Sequence, residues 1–379
     1  MKKRLPNLVL LLISSAVFFQ CQPRQKGSHA QMVEVNGNKV IDCNISEVTD
    51  TVDFPLSKII KKCEFIPLET NDSSLFESVY HVGVSENYIA VHSRGQYPIK
   101  LFSREGKFIR NIGSIGRGPG EFSSLYGIQL DEPANKIYLT PFANATQIIV
   151  YNLDGEDLAP IPLVYKQTKC KVYVEGDVVT VLSMPFSDEI PVAYQQTVSG
   201  ELIQKLPVIE HLILRPDFSS EISSSNNAGA YDLFILPWGS QTYDTLYYYD
   251  TKTNRLFPKY VNSFSDKKHG SWTYELKDHY YSWIFGDRYK GAGVIVDKKT
   301  LKSDFFTIKN DFYGNIAVKK FFMSSNGWFI SSFSAIELIG KWDEVLKNND
   351  LTGSERNKIE SAKNALNEND NDVLFIGRM

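Results

Sequence analysis

Short apolar runs recur along the chain at a nearly constant spacing, each just after a turn residue. They are Tyr88-Ile-Ala-Val91, Lys136-Ile-Tyr-Leu139, Val178-Val-Thr-Val181, Tyr231-Asp-Leu-Phe234, Tyr281-Ser-Trp-Ile284 and Trp328-Phe-Ile330. Their starts lie 42 to 53 residues apart, close to the roughly 40–50 residues of a four-stranded propeller blade. The runs are rich in Val, Ile, Tyr and Phe and bounded by Gly, Asn and Asp, as strands are. After most of them a second strand ends in a polar turn: Ser103 to Gly106, Leu153 to Gly155, Val198 to Gly200, Asp250 to Thr253 and Asp297 to Thr300. These turns predict the outer hairpin of each blade. Phe102 to Phe122 shows the unit most fully, with a turn at Arg104–Lys107 and a second strand carrying Phe108, Ile109 and Ile112. A crossing loop with Gly113, Gly116, Gly118 and Gly120 follows. The pattern predicts an all-β fold, a six-bladed β-propeller over residues 33–379.

The sixth unit departs from the others. Ile336, Ile339, Trp342, Val345 and Leu346 recur at helical steps, and Ile359, Ala362 and Leu366 continue after a break at Thr352-Gly353-Ser354. A helical insert over 335–366 is therefore expected inside the last blade, placed where it could lean over the central funnel as a lid. The chain then stops one strand short of a complete ring. The missing outer strand is expected from Cys63 to Leu68, because an unclosed ring leaves exposed strand edges.

The N-terminus changes the picture of address. Lys2, Lys3 and Arg4 precede an apolar run from Leu8 to Phe19, and Cys21 follows. Residues 1–20 read as an export signal, Cys21 as a lipidation site, and 21–32 as a flexible tether. The Phe18-Phe19-Gln20 lead-in lacks the usual small residue before the cysteine, so an ordinary cleaved signal is the alternative. With 22% charged residues, 42% hydrophobic residues and a formal net charge of −3, the rest reads as a globular body. No basic excess points to nucleic acid, and contact with a membrane is expected through the lipid anchor only. Cys43, Cys63 and Cys170 remain; a Cys43–Cys63 disulfide and three buried unpaired thiols are both open.

Two stretches carry a resemblance. GRGPGEFSSLYGIQLDEPANKIYLT at 116–140, followed by IIVYNLDG at 148–155, resembles the NHL-type propeller repeat. A wider set resembles the six-bladed β-propeller lipoproteins of gut-type Gram-negative bacteria. It comprises FIPLETNDSSLF at 65–76, GRGPGEF at 116–122, DTLYYYD and PKYVNSF within 244–264, and Asp370-Asn371-Asp372-Val373-Leu374. The resemblance runs from about residue 33 to the end. It implies the fold and an exported, cell-envelope location, as an outer-membrane lipoprotein facing periplasm or cell surface. It names no ligand, since fold does not fix function.

Candidate chemistry is sparse. The glycine-rich 116–120 segment lacks the Lys-Ser/Thr and helix of a phosphate cradle and is followed by Glu121, so it reads as a crossing loop. The six histidines show no metal-ligand spacing, Asn369 to Asp372 lacks the glycine and distal glutamate of a calcium loop, and no Gly-x-Ser-x-Gly occurs. No metal or cofactor is expected. Loops held by a rigid scaffold are where binding residues concentrate. In a propeller the loops joining second and third strands share a face with the crossing loops. That face gathers the candidate ligand-binding residues Arg94, Arg117, Glu121, Trp238, Asp287, Arg288 and Tyr289. The expected function is a membrane-anchored propeller that binds a glycan, peptide or envelope protein there. One alternative is a polysaccharide lyase or hydrolase using carboxylates such as Glu121, Asp188 and Asp287; another is a scaffold in an envelope complex.

Overall fold

A computed structural model describes residues 28–379 apart from 94, 119, 210–211, 214–218, 226–229, 237–244, 266–268, 286–291, 319–320 and 324–325. The signal, Cys21, Arg94, Trp238, Asp287, Arg288 and Tyr289 all lie outside the described residues.

Each recurring apolar run is the second strand of a sheet, counted from the axis outward: β6 (Tyr88–Ser93), β10 (Lys136–Pro141), β14 (Val178–Leu182), β18 (Tyr231–Leu236), β22 (His279–Phe285) and β27 (Trp328–Phe333). A strand in this place has a neighbouring blade on both faces, so it is buried almost continuously instead of alternating. Five of the six residues of β6 are buried, whereas the outer strand β8 (Phe108–Ile112) alternates. The six sheets form a six-bladed β-propeller. The inner strands are β5 (Val79–Val84), β9 (Leu125–Asp131), β13 (Lys171–Glu175), β17 (Glu221–Ser223), β21 (Gly270–Glu275) and β26 (Phe321–Met323).

The ring closes as expected. Strand β4 (Glu64–Pro67) pairs antiparallel with the last strand, β28 (Val373–Arg378), matching Ile66 with Leu374 and Phe65 with Phe375. Gly106 makes this fit possible, because a Cβ there would lie 2.3 Å from the Pro67 carbonyl oxygen. The segment before β4 does more than the sequence suggested. Strands β1 (Ala30–Val35) and β2 (Asn38–Asn44) form a hairpin whose Asn36-Gly37 turn takes positive φ at both residues. In β2, Ile41 to Asn44 run parallel to Tyr260–Ser263 of β20 (Arg255–Ser263), widening blade 4. Strand β3 (Thr51–Pro55) then runs parallel to β24 (Ser303–Asn310) of blade 5. The N-terminal segment thus straps the outside of three consecutive blades. Strand β1 begins at Ala30, inside the stretch expected to be tether.

Helices α1 (Ala335–Leu346) and α2 (Gly353–Asn364) sit between β27 and β28. Ser334 caps the first, and Thr352 with Glu355 makes a capping box on the second. Their apolar faces, Leu338, Trp342, Ile359 and Ala362, are buried with Tyr313, Phe375 and Ile60. The Trp342 Nε1–H donates to the Tyr313 carbonyl at 3.3 Å. The insert therefore plugs the junction of blades 5 and 6, and no residue of it lines the axial cavity. Burial of Trp342 anchors the pair at that junction.

Cys43, Cys63 and Cys170 are buried free thiols in three different cores. Burial pushes all three pKa values up to about 12.

Candidate functional site

The inner strands of blades 1, 2 and 3 wall a cavity of about 150 Å³ on the propeller axis. Its apolar lining includes Val82, Ile128, Leu130 and Val172; its polar lining includes His81, Thr140, Lys171, Gln129 and Ser224. Blades 1 and 2 approach closely at Gly83, where a Cβ would stand 3.1 Å from the Leu130 Cβ. Blades 2 and 3 are clamped by one amide: Gln129 Nε2 donates to Val174 O at 2.7 Å, and Val174 N donates back to Gln129 Oε1 at 2.9 Å.

Beside this wall lies a charged cluster built from the crossing loop into blade 3 and the inner strands of blades 2, 3 and 4. Lys169 is 1% exposed and holds φ at +53°, a left-handed conformation uncommon for a residue with a Cβ. Its ammonium donates to Glu221 Oε1 at 2.6 Å and to the Ser220 carbonyl at 2.9 Å. The Tyr126 hydroxyl donates to Glu221 Oε2 at 2.6 Å, and burial, reinforced by that carboxylate, raises the Tyr126 pKa far above its usual value. Lys171 lies over the same Tyr126 ring, 4.4 Å from its centroid. Burial pulls the Lys171 pKa down to about 8, opposed by Glu221 and Cys170 and reinforced by Lys169.

Across the cavity, His81 and His92 face each other as register partners of β5 and β6, their Nδ1 atoms 3.1 Å apart and their rings stacked. Burial lowers the pKa of His92 to about 4. It drives His81 well below the ordinary value too, helped by the positive charge of Lys171. Both imidazoles are therefore neutral at pH 7, and one N–H can bridge them. Among the described residues no group of three or more His, Cys, Asp or Glu is placed to hold a metal ion.

Of the residues singled out on the loop face, only Arg117 and Glu121 are described, and neither lines the cavity. Arg117 is exposed. Glu121 folds back on its own loop, accepting from Gly118 N at 2.8 Å while its own N–H donates to Gly118 O at 3.1 Å. Asp188 is exposed. No carboxylate occurs among the described lining residues, so the lyase or hydrolase alternative finds no acid–base pair there. Sequence reasoning missed Lys169, Lys171, Tyr126 and Glu221, which lie on different blades. The histidine pair carried a readable signal: the two residues flank the turn at Ser85–Asn87 at positions that face across a hairpin.

Fold and cavity together define the molecule as a closed six-bladed propeller with a small polar-lined axial site. It belongs to the DUF4934 family, a domain of unknown function, whose model matches residues 38–378. Among solved structures it is similar to a Bacteroides fragilis protein described as exported, with 16% identity and a TM-score of 0.59. That match covers 87% of this chain and 99% of the other. It is also similar to a member of the DUF4221 family from Bacteroides vulgatus, with 13% identity, a TM-score of 0.47, and coverage of 85% and 98%. No curated protein matches the chain in sequence.

Proposed function

We propose that this chain is an exported binding propeller, anchored in the cell envelope through a lipid on Cys21, that takes part of a glycan, peptide or envelope protein into its axial cavity. The observation that carries this reading is the cavity itself, a partly open space lined by polar side chains from three blades. Binding sites of this kind combine apolar walls with a few placed polar groups. Export and anchoring are supported by Lys2 to Arg4, the apolar run Leu8–Phe19 and Cys21, and by the likeness to a protein described as exported. The finer likeness to NHL-type repeats, carried by residues 116–140 and 148–155, belongs to the same proposal.

The cavity is tested by filling it. A Cβ at Gly127 meets only Thr140 Oγ1, at 4.0 Å, so the wall has room for a side chain there and Gly127→Val adds bulk to the cavity. A ligand found by screening glycans and peptides against the mature protein should bind Gly127→Val much more weakly. Equal binding by the folded variant would move the site off the axis. The anchor is tested separately: wild type should partition into detergent, and Cys21→Ala should be released to the soluble fraction. A wild type recovered as soluble protein would remove the anchor from the proposal.

A further inference from the structure

We infer that the axial cavity is an anion site in which the Lys171 ammonium holds a carboxylate of the ligand. The inference rests on the cavity being the binding site and names the chemistry it selects.

The argument is one of unmatched charge. Two ammonium groups, Lys169 and Lys171, lie against the Tyr126 ring, at 6.0 and 4.4 Å from its centroid. One carboxylate, Glu221, serves them, and both of its oxygens are occupied: Oε1 by Lys169 and Oε2 by the Tyr126 hydroxyl. Lys169 is therefore satisfied. Among the described residues Lys171 makes no hydrogen bond and no ion pair, and its partner is the face of an aromatic ring. A partly buried cation with no anion in direct contact is costly to fold, since the more distant Glu221 offsets its desolvation only in part. The sequence nevertheless places a lysine on this inner strand, and it lines a cavity. A ligand carboxylate would supply the missing charge through charge-assisted hydrogen bonds, the stronger class.

Two further features fit a monoanion. The Thr140 hydroxyl lines the same cavity and makes no side-chain hydrogen bond among the described residues, so a second donor is available. No arginine lines the cavity among the described residues, and the local excess is a single positive charge. A carboxylate matches that charge; a phosphate dianion exceeds it. His81, neutral and engaged with His92, adds a polar wall without a competing charge.

The experiment is calorimetric titration of the full mature protein at pH 7 with acetate and D-glucuronate, against phosphate and neutral D-glucose as contrasts. It is run on wild type, Lys171→Met and Gly127→Val, each checked for a cooperative melt. Glucuronate or acetate should bind wild type more tightly than phosphate or glucose. Lys171→Met should weaken that binding by about thirtyfold or more, as truncating an anchor does, and Lys171→Arg should restore part of it. Carboxylate binding lost in Gly127→Val yet unchanged in Lys171→Met would leave the cavity standing and overturn the role of the lysine. Binding unchanged in both variants would overturn the cavity and the inference together. No carboxylate binding to wild type, or phosphate bound as tightly, would overturn the anion selectivity inferred here.

Discussion

Where blade 6 meets blade 1, two arginines each have an acid beside them, and the buried Lys100 ammonium donates to the Ser73 carbonyl at 2.6 Å. Arg104 faces Glu64 at 2.9 Å and Arg378 faces Glu86 at 2.6 Å, with both guanidiniums lying over the ring of Trp328. Asn371 and Asp372 complete this seam from the last blade. Asn371 donates to the carbonyls of Glu69 and Ser74 at 2.8 and 3.1 Å and accepts from Phe76 N at 3.2 Å; Asp372 accepts from Val79 N at 3.1 Å. On the axis between blades 1 and 3 the bookkeeping differs, because Lys171 is left with an aromatic face and a cavity. The seam uses polar groups to hold two ends of the chain together. The axis leaves one charge unanswered, and unanswered charge inside a packed scaffold is where function concentrates at the expense of stability.

The comparison can be broken at the seam first, where the largest effect is expected. A chain beginning at Glu69 lacks β1 to β4, so β28 keeps an unpaired edge and blades 4 and 5 lose their outer strands. It should aggregate or lose its cooperative unfolding transition, read by circular dichroism on heating. A truncated protein that melts like the mature one would show that the strap is dispensable.

Next in size is Lys169→Met. This leaves Glu221, whose side chain is 30% exposed, beside Tyr126 without its cation, so the loss should lie between the about 1 kcal/mol of an exposed pair and the about 3–5 kcal/mol of a fully buried one. Urea unfolding should show a loss of that order; a loss below about 1 kcal/mol, the level of an exposed pair, would deny the pair its structural role. Asn371→Ala should follow, removing three hydrogen bonds of a residue only 3% exposed and leaving the Phe76 N–H and the Ser74 carbonyl without that partner, while the Glu69 carbonyl keeps the Ser74 hydroxyl. About 1–3 kcal/mol is expected, without any change in ligand binding. An altered affinity would mean that the seam and the axis are coupled.

A smaller effect is expected with pH. The His92 pKa is depressed in the folded state, from 6.5 to about 4. A depressed folded pKa gives stability that is present above the unfolded value and lost as pH falls through the folded one. Wild type should therefore lose stability between pH 6.5 and about 4, and His92→Leu should lose less over that window, seen in urea midpoints. Parallel curves for the two proteins would place the acid sensitivity elsewhere.

What the sequence made legible follows from packing geometry. Second strands lie between two blades, so Tyr88–Val91 and its counterparts appear as continuous apolar runs. The closing strand was legible because the last blade visibly lacked a partner for Val373 to Ile376, and Phe65 and Ile66 supplied one. Trp342 signalled a helix but not where it docks, since helical spacing shows which face is buried and not against what. The axial site was hidden for a different reason. Inner strands are short and mixed, and β17 has only three residues. The Tyr126–Glu221 hydrogen bond spans 95 positions, so no local pattern announces it. Attention to loops led to Glu121, whose carboxylate turned out to close a glycine-rich turn.

The most direct measurement of the central claim is the stability of Lys171→Met in the absence of any added carboxylate, set beside Lys169→Met under the same conditions. Two lysines two positions apart, both over Tyr126, should respond with opposite sign. Methionine keeps the length of Lys171 and removes a charge that no described residue pairs by a hydrogen bond or salt bridge, so the variant should be more stable than wild type, by about 0.5–2 kcal/mol, while Lys169→Met is less stable. Urea unfolding at pH 7 reads both values. A higher midpoint for Lys171→Met is the result the account predicts. A midpoint clearly below wild type would mean that the Lys171 charge is already satisfied within the fold, contradicting the claim that the axis holds a place for an anion.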